Sequence, residues 1–291
     1  MRQITFYIQD KNCGASFMLG TMVKHGLDQF NIPCSIKYPE DLMEIKNSLV
    51  IIFKHQPPTQ VLEILKGNNN KLVIDVVDEF IRPGITPQTL YNYNHFDGMI
   101  LRVGKVLDHY KFPSHLVTSF IPHHWDIRLQ NLPNLETRKQ IPTVTINDGR
   151  DMPYLNQLLQ NKNIEFIGNF HYNEFPQLIE KLNEYAIHYN VRTTNSLAYK
   201  FKPATKLVTA AAYGIPLITN YDWSVEDLIP DDYPFLTEGK TYEEIVELIN
   251  NFPPKDSQEY KYAMEILHEV KVKTALINLI PQYEEFYKKF N

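Results

Sequence analysis

The chain runs to 291 residues, longer than the roughly 100–200 of one ordinary domain, so two domains are expected. Hydrophobic residues at 43% and aromatics at 12% supply enough apolar surface for two cores. The balance of 29 Lys+Arg against 34 Asp+Glu leaves a net charge of −5, with no basic excess or Lys/Arg block to attract nucleic acid.

Two cysteines, Cys13 and Cys34, cannot staple a chain of this size, and a reducing compartment is the simpler expectation. The N-terminal MRQITFYIQDKN turns polar after one strand's length, unlike a secretory leader. No run approaches the ~18 apolar residues of a membrane-spanning helix. A cytoplasmic chain without a transmembrane segment is therefore expected.

In chain order, Gln3 to Ile8 alternates as a strand and ends in a polar turn, Asp10 to Gly14. Apolar residues at Phe17, Met18, Met22, Leu27 and Phe30 predict a helix that Pro33 stops. Ser35 to Tyr38 is a short strand and Pro39 to Ile45 a short helix. Leu49 to Phe53 is a continuous apolar run, the pattern of a strand covered on both faces. Pro57 and Pro58 open a helix that ends at Gly67, and Leu72 to Val77 is another buried strand, followed by Asp78 and Glu79. A helix over Pro87 to Tyr93, a strand from Gly98 to Val103, a short helix to Tyr110 and a strand from Leu116 to Ile121 complete the first half.

Asp126 to Gln140 is polar and lacks an apolar period, which marks a domain boundary. The alternation then restarts. Thr143 to Ile146 and Glu165 to Ile167 are strands, and Pro153 to Leu159 and Phe175 to Leu182 are helices. Tyr185 to Asn190 is a strand, Ala204 to Tyr213 a helix and Ile215 to Thr219 a strand. Thr241 to Phe252 is an amphipathic helix. Gln258 to Leu279 is helical with at least one break, and Pro281 is expected to kink the chain before a last helix. Strands alternating with helices at this spacing predict α/β architecture with doubly wound parallel sheets. In such sheets ligands sit beyond the carboxyl ends of the strands.

The richest stretch is Glu184 to Asn220, a strand feeding a polar loop that opens a helix. Free backbone N–H groups and the positive end of the dipole make that helix start an anion site. Arg192 and Lys206 flank it. Pro203 suits a first helical turn, Gly214 a left-handed C-terminal cap, and Pro216 a stop. A plain buried helix would explain those features. Lys206 in the first turn, however, opposes the dipole by roughly 0.3–1 kcal/mol unless an anion binds there.

The sequence KPATKLVTAAAYGIPLITN within two α/β halves, with no metal-binding Asp-x-Asp, resembles the GT-B glycosyltransferases. The resemblance is sharp from about Arg192 to Asn220 and covers the rest in layout alone. It implies two Rossmann-like domains facing a cleft: an acceptor-side domain over 1–125, a donor domain over 126–280, and a C-terminal helix, 281–291, crossing back to the first. It implies a nucleotide-diphosphate sugar, UDP- or GDP-linked, as co-substrate, with no cofactor and no metal. Thr205 and Lys206 match the family's phosphate neighbours and Gly214-Ile215-Pro216 its turn. Many retaining members hold the ribose with a Glu five residues before that glycine, where this chain has Thr209.

The candidate donor-binding residues are Gly168, Asn169, Phe170, Tyr189, Arg192, Lys202, Thr205, Lys206 and Thr209. Arg192 and Lys206 are the candidates to neutralise the leaving diphosphate. Asp78 is the candidate to take the acceptor proton, against a simple helix-capping role. Asn12, Gly14, His55, Glu79 and His123 are the candidate acceptor contacts. His123 and His124 are adjacent on an extended segment and point apart, so they make a poor metal site. The expected activity is transfer of a sugar to a hydroxyl of a glycan or small acceptor. A nucleotide-sugar epimerase and a non-catalytic two-lobed binding protein remain open on the same features.

Overall fold

The computed structural model describes residues 2–77, 93–131, 137–146, 152–168, 175–192 and 202–290. Ten strands are found among them: β1 Gln3–Tyr7, β2 Cys34–Lys37, β3 Ser48–Phe53, β4 Lys71–Val76, β5 Gly98–Leu101, β6 Val117–Phe120, β7 Thr143–Ile146, β8 Glu165–Gly168, β9 His188–Asn190 and β10 Leu217–Thr219. They form two sheets, ordered β2-β1-β3-β4-β5-β6 and β10-β9-β7-β8. Every pairing is parallel. This is the doubly wound α/β architecture expected from the sequence.

Two compact units follow the sheets: Met1–His123 with Lys200–Pro203 and Ala275–Asn291, and His124–Tyr199 with Ala204–Thr274. In the first unit β3 is buried along its whole length between β1 and β4, as its unbroken apolar run predicts. The order of its sheet reverses between β1 and β3, and the second sheet repeats that reversal between β7 and β9. Each reversal is a switch point, where carboxyl strand ends diverge and leave room for a ligand.

Three helical expectations are refined. The first helix starts as a π-helical stretch, Ser16–Met22, and becomes α-helical over Val23–Gln29. Gly20 lies in the π stretch, against Ile8 and Phe53; a Cβ there would come within 3.0 Å of Ile8 Cδ1. The helix expected near Pro87 to Tyr93 lies outside the described residues, apart from a 3-10 turn at Tyr93–His95. Pro281 does not begin a new helix. It sits inside Leu276–Lys288, and the break falls earlier, at Thr274 and the extended Ala275. The residue whose carbonyl loses its partner to Pro281, Ile277, is 47% exposed, so water can take the place of the missing N–H.

This last helix packs on Val23–Gln29, with Gly26 facing Ile280, and its Tyr283, Phe286 and Tyr287 are buried in the first unit together with Phe290. Beneath it lies an ion pair at the carboxyl ends of β4 and β5. Arg102 donates from Nε to Asp75 Oδ1 at 2.8 Å and from Nη2 to Asp75 Oδ2. Its Nη1 donates to the carbonyls of Ile121 and Pro122 at 3.1 and 3.2 Å. The guanidinium stands over the Tyr283 ring, 5.6 Å from its centroid. Burial opposes the guanidinium charge, and the Asp75 carboxylate overcomes it, holding Arg102 above its ordinary pKa.

Candidate functional site

The carboxyl edge of β9 and β10 is where polar groups collect. The two strands pair in register, Leu217 on His188, Ile218 on Tyr189 and Thr219 on Asn190. The chain leaving β9 therefore runs beside the chain leaving β10. Arg192 is only 7% exposed there. Its backbone N–H donates to Asn220 Oδ1 at 2.7 Å, and its Nη1 stands 3.6 Å from Asp222 Oδ2.

Asp222 caps the short helix Trp223–Glu226. Its Oδ1 accepts the N–H groups of Ser224 and Val225 at 3.0 Å and the Ser224 hydroxyl at 2.6 Å. One carboxylate oxygen is saturated, while Asp222 Oδ2, Asn220 Nδ2 and the Tyr189 hydroxyl are buried without a hydrogen bond. Each such group costs about 1–3 kcal/mol relative to a satisfied one.

The helix after the polar loop runs Thr205–Tyr213, and Ala204 at its N-cap offers no side-chain cap. An alanine there cannot supply the side-chain oxygen that ordinarily covers first-turn N–H groups. Thr205 and Lys206 are half-buried in that turn. Gly214 caps the other end with φ +65°, as predicted. Thr209 donates its hydroxyl to the Thr205 carbonyl at 2.7 Å. That back-bond occupies the hydroxyl proton at the position where many retaining members of the resembling family carry a ribose-holding Glu.

His188, on β9, is fully buried and was not singled out from sequence. It contacts the Leu182 carbonyl at 3.2 Å and meets Tyr213 edge-on with ring centroids 5.4 Å apart. Burial drives its pKa down to about 4, and the Lys206 and Arg138 charges push the same way.

Tyr189, Arg192, Thr205, Lys206 and Thr209 all belong to the second unit, on β9, its extension and the helix at Thr205–Tyr213. Gly168 ends β8, two strands from β9, or about 10 Å at ordinary strand spacing. Lys202 falls in the Lys200–Pro203 stretch grouped with the first unit. Asn169, Phe170, Asp78 and Glu79 lie outside the described residues.

On the acceptor side, Asn12 and Gly14 follow β1, and His55 follows β3, its neighbour at the switch point. Asn12 N–H donates to Asp10 Oδ1 at 2.9 Å in a local turn. Lys54, between β3 and His55, has φ +65° and its Nζ lies 3.8 Å from Cys13 Sγ. His123 is 6% exposed and follows β6 at the sheet edge, three strands from β3, about 14 Å away on strand spacing alone. His124 is fully buried, with Nδ1 3.0 Å from the Trp125 carbonyl. Among the described residues no three His, Cys, Asp or Glu side chains cluster to hold a metal. No helix among them is long and apolar enough to cross a membrane.

Asn220 and Asp222 are the site residues that sequence reasoning missed. Asp222 carries a readable signal, an Asp two residues before a Ser at a helix start. Asn220 carries none, because its role depends on pairing with a strand that lies far back in the chain.

No protein-family profile and no curated protein matches the sequence. Solved structures do. The Anabaena protein HepE, solved in complex with UDP-glucose, superposes with a TM-score of 0.60 at 13% identity, covering 99% of this chain and 100% of its own. A glycosyltransferase of avilamycin A biosynthesis gives 0.56 at 10% identity over 99% and 98%. An α1,3-fucosyltransferase solved with GDP-fucose gives 0.53 at 14% identity over 99% and 89%. The chain therefore has the GT-B fold, built from two Rossmann-like α/β domains.

Proposed function

We propose that this chain is a glycosyltransferase, metal-independent, that moves a sugar from a nucleotide-diphosphate donor to a hydroxyl acceptor. The observation that carries the reading is that one unit holds both a buried Arg192 at a strand's carboxyl end and a helix start, bearing Thr205 and Lys206, whose N-cap Ala204 has no side-chain oxygen. That combination is chemistry for a diphosphate. The guanidinium gives bidentate hydrogen bonds, the ammonium a point charge, and the helix amides fixed donors. Breaking the bond between sugar and phosphate leaves negative charge on the diphosphate. Donors already in place stabilise that charge as it develops. The nucleotide sugars bound in HepE and in the fucosyltransferase support the same donor class.

On this reading Asp78 takes the proton of the acceptor hydroxyl, with Glu79, Asn12, Gly14, His55 and His123 as acceptor contacts. Gly168, Asn169, Phe170, Tyr189, Lys202 and Thr209 complete the donor set.

Thermal-shift measurements against UDP-glucose, UDP-N-acetylglucosamine, GDP-mannose and GDP-fucose test it. A ligand at ~100 times its Kd adds about 2.7 kcal/mol of stability, and silence across all four would count against the donor reading. With a binding donor in hand, Lys206→Ala should lower turnover about 10²-fold. A change under about threefold would remove Lys206 from the leaving-group role. Conversion of donor without any acceptor present would identify an epimerase instead.

A further inference from the structure

We propose that Asn220 and Asp222 bind hydroxyl groups of the donor, on its sugar or its ribose, and not its phosphates. The inference rests on the donor reading above and adds two residues and a ligand chemistry to it. Both side chains are more than nine-tenths buried, Asn220 at 3% and Asp222 at 7% exposure. Each holds one oxygen in a defined bond and leaves one atom without a hydrogen bond. Asn220 Oδ1 takes the Arg192 N–H, which fixes the amide's orientation and turns Nδ2 away from that bond. Asp222 Oδ1 takes the helix start, which leaves Oδ2.

The two vacant atoms have opposite demands. Asn220 Nδ2 can only donate, and ionised Asp222 Oδ2 can only accept. A phosphate oxygen would satisfy the amide and be repelled by the carboxylate. A cationic group would satisfy the carboxylate but meet Arg192, whose Nη1 is 3.6 Å from it. A hydroxyl is donor and acceptor at once and satisfies both. Arg192, held by Asn220 through its backbone and facing Asp222 through its side chain, joins this hydroxyl pair to the diphosphate group. The ligand that fits is one molecule carrying a phosphate beside hydroxyls. A bound hydroxyl pair here would also supply what Thr209, with its proton given to Thr205, does not.

Two isosteric variants test this without disturbing the fold. Asp222→Asn keeps Oδ1 for the helix cap, a position where Asn serves as well as Asp. Asn220→Asp keeps Oδ1 for the Arg192 N–H and turns the vacant donor into an acceptor. Binding is titrated calorimetrically for wild type and both variants with UDP and UDP-glucose, GDP and GDP-fucose, and the 2′,3′-dideoxy diphosphate of whichever base binds.

If the hydroxyls are the sugar's, each variant loses about tenfold or more for the nucleotide sugar, the cost of leaving a buried polar group unsatisfied, and nothing for the diphosphate. If they are the ribose's, the loss extends to the diphosphate and vanishes with the dideoxy compound. An equal loss for all three ligands would overturn the proposal, since the residues would then act on the phosphates through Arg192. Unchanged affinities in variants of a wild type that binds would overturn it and leave the donor reading standing. A wild type that binds none of the compounds sinks both.

Discussion

Among the described residues two buried arginine–aspartate pairs stand at carboxyl sheet edges, and they are built differently. Arg102 and Asp75 meet through both carboxylate oxygens, and two backbone carbonyls take a third guanidinium nitrogen. Arg192 and Asp222 meet at a single 3.6 Å approach, and Asp222 Oδ2 has no hydrogen bond. The first pair is complete within the protein and fastens β4, β5 and the turn after β6. The second spends one carboxylate oxygen on structure and leaves the other unused. A closed pair is a fastening, whereas a loose one is what the proposed donor site calls for.

The largest expected effect comes from breaking the closed pair. Arg102→Met leaves the Asp75 carboxylate buried without a partner and should destabilise the protein by about 3–5 kcal/mol. The shift in urea midpoint measures it. Arg192→Met should cost less stability and more activity. Asp222 keeps the three donors on Oδ1, so stability should fall by about 1–2 kcal/mol. Turnover with the preferred nucleotide sugar should fall about 10²-fold or more. Equal stability losses in the two variants would erase the contrast between the pairs.

Acid provides a smaller handle on the second unit. His188 has a folded pKa of about 4, below its ordinary 6.5, so the unfolded chain takes up a proton that the folded chain refuses. The folded-state pKa is depressed, and stability is therefore intact above pH 6.5. It declines as pH falls from 6.5 toward 4, by up to about 1.4 kcal/mol per unit. Urea unfolding across that range should show the slope in wild type and a shallower one in His188→Gln. The same slope in both would mean that other groups account for the acid sensitivity.

The fold was legible because its signals are local. The apolar run Leu49 to Phe53, the Gly-Ile-Pro turn after Tyr213 and the prolines before Thr59 each specify an element from a few adjacent residues. Half of the proposed donor site was readable for the same reason, since Thr205 and Lys206 stand next to their helix start. The rest depends on contacts across long stretches of chain. Asn220 gains its meaning from Arg192, 28 residues earlier, and Arg102 from Asp75, 27 earlier. Pro281 misled for a related reason: a proline's helix-breaking force depends on whether the freed carbonyl meets water, and that is a fact about the face on which Ile277 lies.

The smallest expected effects give the finest test of the comparison. Tyr287 and Tyr189 each bury a hydroxyl without a hydrogen-bond partner, one on the last helix in the first unit and one on β9 in the second. Removing an unpaired buried hydroxyl loses no bond and relieves its desolvation. Tyr287→Phe and Tyr189→Phe should both therefore lie within about 0.5 kcal/mol of wild type in stability, or slightly above it. Their binding should differ. Tyr287→Phe should leave nucleotide-sugar affinity unchanged, because its hydroxyl lies in the core of the first unit. Tyr189→Phe should weaken that affinity several-fold, because its hydroxyl shares a sheet edge with the vacant groups of Asn220 and Asp222. If both variants bind as wild type does, the Tyr189 hydroxyl is a tolerated packing defect, and the open region shrinks to Arg192, Asn220 and Asp222.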